Sequence, residues 1–223
     1  MPMHGRPLPY RWVGWWPVRL LRRALVVSFY YPVLRIWMRR LVVEGRERIP
    51  TGPVIYAATH TSMADTPLIL WAVGVRGNRL VVTAARDFFF RHNRPGFGPF
   101  VALVFGAIPI DRTGSPRQSL SDAITWLRSG FAIVIYPQGT IPDHAEDETR
   151  LHRGVALLAK QSMYPVVPVR IIGASDLLPA GIHWPRRAVV RITFLPPMLF
   201  AHKENTERFT DRLRASLFDV TTE

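Results

Sequence analysis

A chain of 223 residues suits one α/β domain with a short appendage, because domains usually run to about 100–200 residues, and it excludes a second catalytic domain. With 48% hydrophobic and 20% charged residues it carries enough apolar material for a core, which excludes a disordered chain. A formal charge of +13, from 29 Lys and Arg against 16 Asp and Glu, implies an anionic partner, while the absence of cysteine excludes disulfides, thiolate nucleophiles and Cys-ligated metals.

Residues 10–40 mix Trp12, Trp15, Trp16, Phe29, Tyr30, Tyr31 and Trp37 with Arg11, Arg19, Arg22, Arg23, Arg35, Arg39 and Arg40. Aromatic rings favour the headgroup boundary of a bilayer, and each basic residue near an anionic surface adds about 1 kcal/mol of attraction. Pro17 and Pro32 are expected to break the segment into short helices that lie on a membrane or dip into one leaflet. The competing reading is a helical hairpin packed on the core with a solvated basic face. The run 24–34 is free of charge but too short for a spanning helix of about 20 residues. A signal peptide is a poor fit, because the apolar stretch continues through Arg35, Arg39 and Arg40 without a small-residue cleavage site. Zinc-finger spacing, a ribonucleoprotein motif and a basic heptad region are all missing, so a membrane surface or acidic substrate is expected as partner and nucleic acid is not.

From Leu41 onward short β-prone runs alternate with helical patterns, which predicts an α/β fold: a mixed, largely parallel sheet flanked by helices, preceded by the N-terminal interfacial helical segment. The predicted strands are 41–44, 54–59, 80–84, 107–110, 132–136, 166–172 and 189–194. Helices are predicted over 67–73, from Ser115 with Pro116 in its first turn to a stop at Gly130, over 154–161, and over 203–217. The chain thus divides into interfacial helices at 1–40 and an α/β domain at 41–223.

His60 follows the strand 54–59, and Asp65 stands just before Thr66-Pro67, a helix start. Five helical steps of about 100° would place the two on different faces, so they meet only if His60 sits in the strand-to-helix turn. There Asp65 can accept from one imidazole nitrogen while the other takes a proton from a hydroxyl, an arrangement that requires no metal. Alone, this spacing more often marks a helix-capping Asp beside an incidental His. Three further blocks lie at predicted strands: Gly106-Ala-Ile-Pro-Ile-Asp-Arg112, Tyr136-Pro-Gln-Gly-Thr140 and Val166-Val-Pro168-Val. Sites of open α/β sheets gather at strand ends.

In this order the four blocks resemble the glycerolipid acyltransferase family that includes 1-acylglycerol-3-phosphate acyltransferase, whose motifs read H-x4-D, G-x-x-x-I-D-R, F-P-E-G-T-R and V-P-V. The resemblance runs from about Val43 to Met198 and takes in Leu151-His-Arg-Gly154. It implies that His60 deprotonates an acceptor hydroxyl, that Asp65 orients it, and that the hydroxyl attacks an acyl thioester directly. Ser62, inside the first block, remains a formal nucleophile. Gly139 and Thr140 are implied to line the site and offer backbone N–H groups to the oxyanion, and Arg112 to hold an anionic acceptor. Pro168 is expected to shape its strand.

The third block departs from the family's pattern, with Gln138, expected to bind substrate beside Gly139 and Thr140, in place of a carboxylate and Ile141 in place of a cation. Aligning Asp87-Phe88 with the family's K-x-E-L segment leaves Ala85 at the lysine, with Arg86 and Arg153 as possible substitutes. The resemblance therefore implies acyl transfer to a lysoglycerolipid, with 1-acylglycerol-3-phosphate as the expected acceptor in phospholipid biosynthesis. Another lysophospholipid, a glycolipid or a lipoamino acid stays open. The co-substrate would be acyl-CoA or acyl-carrier protein, with no further cofactor, and the expected location is peripheral or monotopic on the cytoplasmic face of a membrane. Phe88, Phe89, Phe90, Phe97, Phe100 and Phe105 line either an acyl channel or ordinary packing. A hydrolase using the same pair, and a basic binding protein that has lost catalysis, are the remaining alternatives.

Overall fold

The computed structural model describes residues 10–74, 79–89, 96–111, 116–142, 149–179 and 184–219. Its strands are β1 (Met38–Glu44), β2 (Ile55–Ala58), β3 (Leu80–Ala85), β4 (Ala107–Ile110), β5 (Ala132–Ile135), β6 (Val166–Ile172) and β7 (Ala188–Phe194). They form a seven-stranded sheet in the order β1-β7-β6-β2-β5-β3-β4. From β6 to β4 the neighbours are parallel; β7 runs antiparallel to β6 and parallel to β1. The fold is α/β with a mixed, mostly parallel sheet flanked by helices.

β2 explains why the sheet is covered on both sides. All its residues are buried, and they divide by the period-2 rule: Ile55 and Ala57 enter one hydrophobic cluster, Tyr56 and Ala58 the other. A strand apolar on both faces needs helices above and below it. The Ile55 face is covered by α6 (Pro116–Arg128), α7 (Gly154–Ser162) and α9 (Thr206–Phe218) through Leu127, Leu158 and Phe209. The Tyr56 face is covered by α3 (Asp65–Ala72) through Leu68 and Ile69. The short helices α4 (Arg86–Phe89) and α8 (Ala174–Leu177) follow β3 and β6, and α5 (Phe97–Phe105) precedes β4.

The N-terminal segment corrects the expectation of broken helices. α1 (Trp16–Leu25) and α2 (Tyr31–Trp37) are joined by a π turn at Val26–Tyr30, giving one helical run over residues 16–37. Pro17 lies in the first turn, where its missing N–H is not needed. Pro32 would clash with the carbonyl four residues back in a regular helix. The wider turn, closed by the Tyr31 N–H donating to the Val26 carbonyl, lets the helix pass through it.

This run is docked on the domain. Arg22 is 4% exposed and donates to the carbonyls of Val13 (2.9 Å), Leu103 (3.0 Å) and Leu80 (3.4 Å). Burial, with the Arg19 charge adding to it, lowers Arg22 to about 10, so it stays cationic at neutral pH. Tyr31 stacks on Trp71 of α3 at 4.2 Å between ring centroids. The opposite side of the run exposes Trp15, Trp16, Leu20, Leu21, Val27, Phe29, Val33 and Ile36. Among the described residues no helix is long and apolar enough to cross a membrane.

Candidate active site

β2 ends at Ala58, and Thr59 still pairs with β6: its N–H donates to the Val169 carbonyl and its Oγ1 accepts from the Ile171 N–H at 2.9 Å. His60 follows immediately, at the strand end where the backbone leaves the sheet. The next residues turn into α3, whose first residue is Asp65. A carboxylate in the first helical turn is favoured by the helix dipole.

Asp65 is fully buried, and its Oδ2 gathers three donors: His60 Nδ1 at 3.0 Å, the Thr61 N–H at 2.7 Å and the Ser62 N–H at 2.8 Å. Its Oδ1 is buried without a partner. An ionised carboxylate only accepts, so Nδ1 carries the hydrogen and the neutral imidazole keeps its lone pair on Nε2. The His60 side chain is 17% exposed.

Block three, leaving β5, holds His60 from a second direction. The ring of Tyr136 stacks on the imidazole at 4.0 Å and 20° between planes, and its hydroxyl pairs with Thr66 Oγ1 at 2.8 Å. Burial, and then the Asp65 charge, push the Tyr136 phenol well above its ordinary pKa, with the Thr66 hydrogen bond opposing them. Gln138, 7% exposed, accepts the His60 backbone N–H on Oε1 at 2.6 Å. Sequence reasoning gave Gln138 a substrate role and missed this grip on His60, as it missed the stacking by Tyr136. The aromatic first position of the block was the available signal for the second.

The remaining candidates separate. Ser62 is fully buried, its Oγ donating to the Leu178 carbonyl at 2.7 Å and accepting from the Ala64 N–H at 3.1 Å, so it braces the turn and cannot reach a thioester. Gly139 takes φ +81 in the turn, a conformation that strains any residue with a side chain, donates its N–H to the Tyr136 carbonyl at 3.0 Å, and packs so that a Cβ would lie 3.1 Å from His152 Cδ2. Thr140 is exposed beside it. Arg86 is exposed at the start of α4, where β3 ends. Arg153 is exposed, and its guanidinium pairs with Glu207 at 2.6 Å, because α9 packs alongside α7. Arg112 lies outside the described residues; its neighbour Asp111 is fixed at the end of β4 by Ser119 of α6, which accepts the Asp111 N–H at 2.9 Å. Pro168 sits inside β6 opposite Ala57 and is buried, a strand residue. The side chains of Phe88, Phe89 and Phe90 lie outside the described residues, while Phe97 and Phe100 are exposed and Phe105 packs edge-on against Tyr30.

A family model described as Acyltransferase matches residues 40–172, more than half of the chain and the whole stretch that builds this site. The chain belongs to the Acyltransferase family. Among curated proteins this acyltransferase is similar to the 1-acyl-sn-glycerol-3-phosphate acyltransferase of Limnanthes alba, at 24% identity over 191 residues, 82% of this chain. It spans 64% of that relative's length. Among solved structures it is similar in fold to the 1-acyl-sn-glycerophosphate (LPA) acyltransferase PlsC from Thermotoga maritima. That match has a TM-score of 0.58 and 19% identity, covering 93% of this chain and 80% of the other.

Proposed function

We propose that this acyltransferase moves a fatty acyl group from a thioester, on coenzyme A or acyl carrier protein, to a hydroxyl of a lysoglycerolipid at a membrane surface. The single observation that carries the reading is the His60–Asp65 pair, with Nδ1 held at 3.0 Å by a fully buried carboxylate. His60 Nε2 takes the proton of the acceptor hydroxyl as its oxygen attacks the thioester carbonyl. The carbon–sulfur bond then breaks, and the imidazolium returns the proton to the departing thiolate, giving an ester and a free thiol. Asp65 offsets the positive charge of the imidazolium while it lasts. Thr140, exposed beside Gly139, supplies the donor for the oxyanion.

The acceptor proposed first is 1-acylglycerol-3-phosphate, supported by the relatives' names and by the basic charge of the chain. A second reading, another lysolipid head, is favoured by the neutral Gln138 and Ile141 in block three and by Ala85 at the end of β3. Peripheral attachment to the membrane is supported by the exposed apolar side of residues 16–37.

Purified protein given mixed acyl thioesters and a panel of lysolipids, with products read by mass spectrometry, tests both readings. The expected product is a diacyl lipid formed only when an acceptor is present, and absent with His60→Ala. Release of free fatty acid at the full rate without acceptor would replace the transferase by a hydrolase. Unchanged transfer by His60→Ala would end the mechanism.

A further inference from the structure

At the end of the sheet opposite His60, where β3 and β5 begin, arginines converge on one aromatic ring. Arg19 of α1 and Arg79, the residue before β3, place their guanidinium carbons 5.8 Å and 6.0 Å from the ring centroid of Phe131, the residue before β5. Two glycines make the space: a Cβ on Gly130 would lie 2.9 Å from Arg79 Nη1, and one on Gly106 would lie 2.7 Å from Arg22 Nη1.

Arg22 is satisfied by its three carbonyls, but Arg19 is not. Arg19 Nε is buried and donates to nothing, and neither Arg19 nor Arg79 pairs with a carboxylate among the described residues. Burial first, and then the charge of Arg79, lower the Arg19 pKa. A buried N–H donor without an acceptor, beside like charges, is matched by an oxyanion that two guanidiniums grip together.

The surroundings identify the oxyanion's source. Trp15 at the cap of α1, and Trp16, Leu20 and Leu21 on its first turns, neighbour Arg19 and are exposed. Tryptophans at a bilayer boundary sit at headgroup depth, where phosphates lie. We infer that Arg19 and Arg79, backed by Arg22, bind the phosphate of an anionic phospholipid headgroup and so fix how residues 16–37 lie on the bilayer. The inference rests on the membrane-surface reading above. The lipid held here is not the acceptor, since the arginines stand at the starts of β3 and β5 and His60 at the end of β2.

Vesicle flotation of the full chain tests it, using phosphatidylcholine alone and phosphatidylcholine with about one third phosphatidylglycerol. The Arg19→Gln/Arg79→Gln variant is compared with Arg39→Gln/Arg40→Gln, which removes the same charge from exposed positions on β1. The first variant is expected to weaken binding to the anionic vesicles at least about 300-fold, and the second no more than the roughly 30-fold that loss of two diffuse charges at about 1 kcal/mol each would give. Without lipid, the first variant melts no lower than the wild type, because it relieves a repulsion. Equal weakening by the two variants would mean diffuse charge and overturn the site. So would saturation of the wild type, but not of the first variant, by dissolved inorganic phosphate with vesicle binding unchanged in both. Failure of the wild type to bind either vesicle would instead remove the membrane reading itself.

Discussion

Gln138 grips the catalytic candidate by its backbone: its Oε1 accepts the His60 N–H at 2.6 Å, from a strand end that sequence places far from His60. An N–H can only donate, so the amide is oriented with its oxygen toward His60. A carboxylate, the family's residue here, can make the same bond. Gln138→Glu is therefore expected to melt near the wild type. Gln138→Ala strands the donor and should cost about 1–3 kcal/mol, with transfer slowed about tenfold as the imidazole loosens. Denaturant melts alongside initial rates check both variants, and an Ala variant indistinguishable from wild type would show that the grip contributes nothing.

Ser62→Ala separates a brace from a nucleophile. Its hydroxyl joins the turn to the Leu178 carbonyl, so the variant should lose about 1–2 kcal/mol of stability yet keep its turnover per folded molecule within a few-fold. Pre-steady-state mixing with acyl thioester should show no burst in either protein. Complete loss of activity in a folded Ser62→Ala would restore the nucleophile.

Tyr136 lends its ring, not its proton. Its phenol pKa is raised by burial and by the Asp65 charge, so its contribution to stability is complete below the ordinary value of 10.0 and is lost as pH rises beyond it. Tyr136→Phe keeps the stacking on His60 and is expected to retain activity while flattening the loss of stability above about pH 10. Thermal melts across pH 8–11 read this directly; an unchanged alkaline limb would assign that loss to other groups.

Arg22 ties α1 to the carbonyls of Leu80 in β3, Leu103 in α5 and Val13 in the turn before α1. Arg22→Met leaves those acceptors buried and should destabilise by about 3 kcal/mol. Limited proteolysis would then cut the 16–37 run before the rest of the domain. Equal protection of variant and wild type would contradict the anchoring.

The strands were legible because their signal is local. Val, Ile and Ala runs gave β4 and β6 at their observed bounds, and the strand-then-turn order placed His60 where Asp65 meets it. Long-range partners were not legible. Nothing beside Arg153 announces that α9 returns to offer Glu207, and nothing beside Arg22 announces carbonyls from Leu80 and Leu103. The helix through Pro32 was misjudged because proline's local cost is visible in sequence, whereas the π turn and the packing of Tyr31 on Trp71 that accommodate it are not.

The most direct test of the account is the rate of acyl transfer by Asp65→Asn. Oδ2 accepts from His60, Thr61 and Ser62, and Oδ1 has no partner, so an asparagine oxygen can keep all three bonds with its NH2 in the Oδ1 place. The variant removes the charge and leaves the geometry. If Asp65 stabilises an imidazolium formed as the hydroxyl is deprotonated, the variant folds, binds donor, and transfers acyl groups about 10²–10⁴-fold more slowly. A folded Asp65→Asn working within threefold of wild type would contradict stabilisation of a His60 imidazolium by the Asp65 charge.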